Sequence, residues 1–102
     1  MVQKPVSPEL VREMVGGALY EYYPLGEFVV LAPDVCGGRP TFKYTRLEVS
    51  TVLALLSEGR SIDEVATEYE QSNLRRAAIR EALRLADEAF ARRAQAILPI
   101  AV

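Results

Sequence analysis

A chain of 102 residues, half of them apolar and a quarter charged, is long enough for one domain, residues 1–102, burying about two thirds of its unfolded surface without metal or disulfide staples. It holds no histidine and one cysteine, which removes the usual general base near neutral pH and the commonest metal ligand, and excludes an intramolecular disulfide. No cofactor, metal or enzymatic activity is therefore expected, and a cytoplasmic protein without membrane contact is: no apolar run nears the ~20 residues of a bilayer span, and "MVQKPVSPEL" lacks a signal-peptide core.

Ser7, Pro8 and Glu9 form a helix-start signature, with a hydroxyl cap, a proline that needs no N–H, and an acid near the positive helix end. "ELVREMV" then spaces Leu10, Val11, Met14 and Val15 as a short helix that Gly16 and Gly17 would end. "FVVL" predicts a strand over about 27–32, "PDVCGG" a turn, and Thr41 to Thr45 a second short strand, which together make a hairpin. In that turn the glycines supply positive φ, since the segment lacks both a P-loop ending and a dinucleotide-binding spacing. Cys36 is expected to be a small buried thiol there.

From Leu47 the apolar period becomes helical. Val49, Val52, Leu53, Leu55 and Leu56 form a stripe ending at Gly59, and Ser61 with Glu64 makes a capping box for a second helix carrying Ile62, Val65, Ala66 and Tyr69. A last helix starts between Asn73 and Arg76 and should stop near Ile97, before Pro99. Its apolar face runs through Leu74, Ala78, Ile79, Ala82, Leu83, Ala86, Ala89, Phe90 and Ala94. The expected fold is mainly α: a short helix plus a small N-terminal β-hairpin in residues 1–46, available for dimer or partner contact, then a trihelical helix-turn-helix-like unit, homeodomain-like or winged-helix-like, over 47–98.

The net charge of −2 hides alternation: −3 over residues 1–34, +3 over 35–46, −5 over 47–70 and +3 over 71–102. Local basic patches can hold a polyanion whatever the total charge. If the last helix enters a DNA groove, Arg75, Arg76 and Arg80 are the contacts, with Arg84 nearer a phosphate. The competing assignment is a solvated face in which Arg84 pairs with Asp87 or Glu88. The aromatics Tyr20, Tyr22, Tyr23, Phe28, Phe42 and Tyr44, interleaved with Arg39, Lys43 and Arg46, point more to core or dimer packing than to base stacking. The tail "ILPIAV" either docks onto a partner or frays.

Three stretches, "DVCGGRPTFKYTRLEV", "LLSEGRSIDEVATEY" and "LRRAAIREALRLA", resemble the family named domain of unknown function 433, small bacterial and archaeal proteins often encoded beside PIN-like nucleases and regarded as antitoxins. The resemblance runs from Ala32 to Ala86 and covers little of residues 1–20 or 88–102. It implies a helix-turn-helix-like antitoxin that sequesters a PIN-like nuclease toxin and represses its own promoter DNA. It also marks Arg39, Thr45 and Arg46, in a basic loop with Lys43, as matched positions, with Arg46 open to pairing with Glu48 or a helix end. The family usually has glycine where this chain has Tyr44, so a glycine-only backbone is not required there; Arg75 stands where a helix-capping hydroxyl is common, leaving Ser72 or Asn73 to cap. A homodimer is expected, because a two-stranded hairpin is marginal alone and helix-turn-helix proteins read DNA as dimers. The alternative is a non-enzymatic protein-interaction module that does not bind DNA.

Overall fold

The computed structural model describes residues 9–101, and their side chains as far as Ile97. Four antiparallel strands come first, β1 (Val11–Val15), β2 (Ala18–Pro24), β3 (Val29–Leu31) and β4 (Pro40–Phe42), in a sheet whose spatial order follows the chain. Three helices follow, α1 (Val49–Ser57), α2 (Ile62–Glu68) and α3 (Arg76–Ala101). The protein is therefore a mixed α/β fold, not the mainly α fold with a small hairpin that the apolar spacing suggested.

The difference arises in residues 10–24. "VREMV" fits a helix by spacing, but it pairs along its whole length with β2, from Val11↔Tyr22 to Val15↔Ala18. Gly16 and Gly17 do not end a helix. Both have positive φ, +57° and +82°, which suits the two-residue turn whose twist matches that of paired strands. The proposed cap at Ser7 and Pro8 lies outside the described residues, and Glu9 is not helical. Strand pairing and the aromatic content of "ALYEYYP" outweigh a helix of this length, which is marginal without tertiary support.

The expected hairpin is present as β3 and β4, paired Val29↔Phe42, Val30↔Thr41 and Leu31↔Pro40. Its second strand stops at Phe42 rather than Thr45, because Lys43 to Thr45 turn back: Thr45 N and Oγ1 both donate to Phe42 O, at 3.0 and 2.7 Å. Consecutive Val29 and Val30, 2% and 0% exposed, point to opposite faces and are buried on both. Val29 joins the main core with Phe42, Val49, Val52, Val65, Leu74, Ala78, Ile79 and Ala82. Val30 joins a smaller cluster with Tyr22 and Ala32. Cys36 is half-buried, with Sγ donating to Arg46 O at 3.4 Å. Gly37 and Gly38 take positive φ, +64° and +80°, as the turn requires.

The helices follow the sequence more closely. Ser61 caps α2: Glu64 N donates to Ser61 Oγ at 3.0 Å and Ser61 N donates to Glu64 Oε1 at 2.9 Å, a reciprocal arrangement that typically contributes about 1 kcal/mol. α3 starts at Arg76, with Ile79 N bonded to Arg75 O, and neither Ser72 nor Asn73 is its cap. Asn73 instead occupies the left-handed region, φ +56°, at the end of the turn Glu70–Ser72. The helix also passes Pro99 to reach Ala101, so the stop expected at Ile97 is not observed.

Only the first half of the α3 apolar face is covered. Leu74, Ala78, Ile79 and Ala82 are buried, whereas Leu83 and Phe90 are 40% and 75% exposed. Among the described residues no helix is long and apolar enough to cross a membrane.

Candidate functional site

Three connections meet at one end of the sheet: the β2–β3 turn, the β4–α1 turn and the segment leading into α3. Between them lies a cleft of about 580 Å³ whose floor includes Phe28, Phe42, Leu74 and Ala78. Its rim carries Lys43, Arg46 and Arg75, opposed by the acid Glu27. Gln71, Ser72 and Asn73 add neutral polar groups on the α3 side. Of the three non-glycine residues at positive φ among the described residues, Tyr44 (+66°) and Asn73 (+56°) line the cleft and Cys36 (+51°) does not. Asparagine tolerates that conformation, while a tyrosine there costs on the order of 1 kcal/mol, and such strain clusters at functional positions.

The basic rim is built locally. Thr45 Oγ1 accepts from Leu47 N at 3.0 Å while donating to Phe42 O, and Phe42 N donates to Leu47 O at 3.1 Å. This closed turn sends Arg46 outward, where it is exposed. Lys43 is tied by its backbone, N to Phe28 O at 2.7 Å. Its ammonium sits 5.0 and 5.3 Å from the ring centroids of Tyr22 and Tyr44, within cation–π range.

The anticipated arginine ridge does face water: Arg75, Arg76, Arg80 and Arg84 are all exposed. They are not equivalent. Arg76 is bonded to Asp63 of α2, and Arg84 to Glu88 at 2.9 Å, so the solvated-face pairing applies to these two. Among the described residues Arg75, Arg80 and Arg46 form no ion pair, and Arg75 and Arg46 share the cleft although 29 positions apart in the sequence.

The family described as Protein of unknown function (DUF433) matches residues 29–86. That is more than half of the chain. The protein belongs to the DUF433 family. No curated protein and no solved structure matches it. The family segment begins at β3 and ends within α3, so the β1–β2 hairpin and the second half of α3 lie outside it.

Of the positions marked by the resemblance, Thr45 closes the turn, and Arg39 bonds Glu48, Nε to Oε1 at 2.7 Å. Glu48 is thus the partner of Arg39, not of Arg46. The bond holds Glu48 below the ordinary carboxylate range and Arg39 above its own, though both groups are open to solvent and the pair is screened. Tyr44, where the resemblance led to an expectation of glycine, takes the left-handed backbone, φ +66°. The expectation that losing glycine would free this position from that conformation is not met.

Tyr44 is held by a tyrosine cluster that belongs partly to the hairpin. Tyr44 N donates to Tyr20 Oη at 3.0 Å, and the hydroxyls of Tyr22 and Tyr44 donate to Glu13, at 2.5 Å and at 3.1 to 3.2 Å. The Tyr22 bond holds the Glu13 carboxyl below its ordinary 4.5, and the same bond, together with burial, raises Tyr22 above 10.0. The signs fix a window. A depressed carboxyl contributes stability above 4.5 that is lost as pH falls through its folded value; a raised phenol contributes below 10.0 and loses it as pH rises through its folded value. In a tyrosinate absorbance titration, Tyr22 is expected to ionise later than free tyrosine, and Glu13→Gln to bring it earlier. Superimposable titrations of the two proteins would contradict the assignment.

Sequence reading overlooked Glu81. It is 8% exposed, and its carboxylate accepts from the backbone N–H groups of Glu27, Phe28 and Val29 at 2.7, 2.7 and 2.9 Å. One α3 side chain thereby fixes the β2–β3 turn that forms a wall of the cleft. The signal was present: Glu81 falls on the buried stripe, three residues after Ala78 and four before Leu85.

Proposed function

We propose that this DUF433 protein is a non-enzymatic, antitoxin-type regulator that binds its own promoter DNA through the cleft rim and the start of α3, and a PIN-like nuclease toxin through another surface. The observation that carries the DNA reading is the convergence of Arg46 and Arg75 on one cleft, with Lys43 beside them and no paired acid on either arginine among the described residues. Arg80 is exposed further along α3 but does not line the cleft. Arg76 and Arg84 rank lower, since Asp63 and Glu88 neutralise them.

The support is electrostatic rather than motif-based. The link from Tyr69 to Arg75 is longer than the turn of about 3–4 residues in a helix-turn-helix. The double variant Arg46→Ala/Arg75→Ala is expected to bind promoter DNA more weakly and to flatten the log–log salt dependence by about one unit per lost phosphate contact. Arg84→Ala should leave both nearly unchanged. An unaltered affinity and slope in the double variant would remove the cleft from the DNA interface.

A specific feature favours the interaction-module reading. The hairpin exposes Met14, Val15 and Leu19 at 70%, 40% and 59%, beside a hollow of about 240 Å³ lined by Val15, Leu19, Tyr20 and Val35. Under this reading a neighbouring gene product co-purifies, Leu19→Glu abolishes the association, and promoter DNA is not shifted even at low salt.

A further inference from the structure

A rim of cations accounts for phosphate binding but not for the floor of the cleft. Duplex DNA carries its phosphates outside and keeps its base faces stacked and its Watson–Crick edges paired, so it has nothing to lay on Phe28, Phe42 and Leu74. The rim is also not of one sign. Glu27 shares it with Arg46 and Arg75, is exposed, and forms no ion pair among the described residues. Its place is fixed by its own backbone, since Glu27 N and Phe28 N both donate to Glu81, each at 2.7 Å. An occupant of the whole cleft therefore needs an anion for the arginines, an apolar or aromatic face for the floor, and N–H donors for a carboxylate that only accepts.

A nucleotide has all three. Within a strand it also has a phosphate on either side, which matches two unpaired arginines contributed by separate segments, Arg46 ahead of α1 and Arg75 ahead of α3. The cleft, about 580 Å³, falls inside the ~300–1,000 Å³ of small-ligand sites and holds one base rather than a run. Tyr44, 52% exposed, and Phe28 supply aromatic surface for it. Guanine alone presents N–H donors on two neighbouring atoms of its Watson–Crick edge, which meet both oxygens of a carboxylate; thymine presents one, between carbonyls. We propose that the cleft binds one unpaired guanine nucleotide of single-stranded DNA, with Glu27 selecting the base. The proposal rests on the nucleic-acid reading of the rim and adds the form of the strand and the base. On a duplex, whose guanines are paired, Glu27 meets only phosphate and repels it.

Fluorescence anisotropy of labelled probes with the full chain, at one low salt concentration, compares the promoter duplex, an all-thymine DNA strand, the same strand with a single central guanine, and the RNA counterpart of that last strand. The guanine strand is expected to bind about tenfold more tightly than the all-thymine strand. Glu27→Gln, at an exposed side chain, should erase that preference, leave the melting curve unchanged, and tighten binding of the duplex. Equal binding of the two DNA strands, a preference that survives Glu27→Gln, or tighter binding of the RNA strand overturns the proposal. A duplex bound while neither DNA strand is bound overturns it and leaves the promoter reading standing. The guanine strand bound while the duplex is not does the reverse.

Discussion

Glu81→Ala should lower the unfolding free energy by about 3 kcal/mol, because it leaves three backbone donors of the β2–β3 turn without their acceptor, each orphan costing ~1–3 kcal/mol before the turn relaxes or admits water. Against a total of about 5–15 kcal/mol for a domain, that is a severe loss. Glu81→Gln should fall between, since an amide retains one acceptor but turns a donor toward N–H groups. The mechanism has a stricter signature in Gly26. A Cβ there would lie 2.6 Å from Glu81 Cδ, so Gly26→Ala is expected to destabilise the native protein by about 1–3 kcal/mol. In the Glu81→Ala background the obstructing carboxylate is gone, and the same change should cost far less. Urea unfolding of the four proteins tests this; additive losses would show that Glu81 does not occupy the space Gly26 leaves open.

Ile79→Ala is the second large effect, with an expected loss of about 2–5 kcal/mol. Ile79 is fully buried where α3 meets the rest of the main core, in the cluster that contains Val52 of α1, Val65 of α2 and Val29 of β3. Truncation opens a cavity that several elements would have to close together. Ile97 provides the control: it lies on the same helix, is half-exposed, and its replacement by alanine should change the stability by less than about 0.5 kcal/mol. Denaturant midpoints at low protein concentration compare the two. Equal losses would mean that the end of α3 is packed against its own domain.

The cleft and its supports show how far each level of description reaches. Residues that interact within a few positions were legible: the Ser61–Glu64 box, the paired strands about "PDVCGG" and the i,i+4 pair of Arg84 with Glu88 all depend on short-range geometry. The meeting of Arg46 with Arg75 was not legible, because no periodicity links two segments 29 positions apart. Glu81 was missed although it falls on the apolar stripe, since its partners are backbone amides that carry no sequence signal.

Local hydrogen bonding and apolar period thus make legible the helices after Leu47, the capping box of α2, the β3–β4 hairpin and the exposure of the arginines. Tertiary structure alone decided that Val11–Val15 is a strand, that Tyr44 keeps a left-handed backbone, and that α3 runs past its own core. β2 pairs with Val11–Val15 across the two-residue Gly16–Gly17 turn although that segment's own spacing fits a short helix, the bonds to Tyr20 and Glu13, 24 and 31 positions away, hold the strained Tyr44, and the core ends before the helix does.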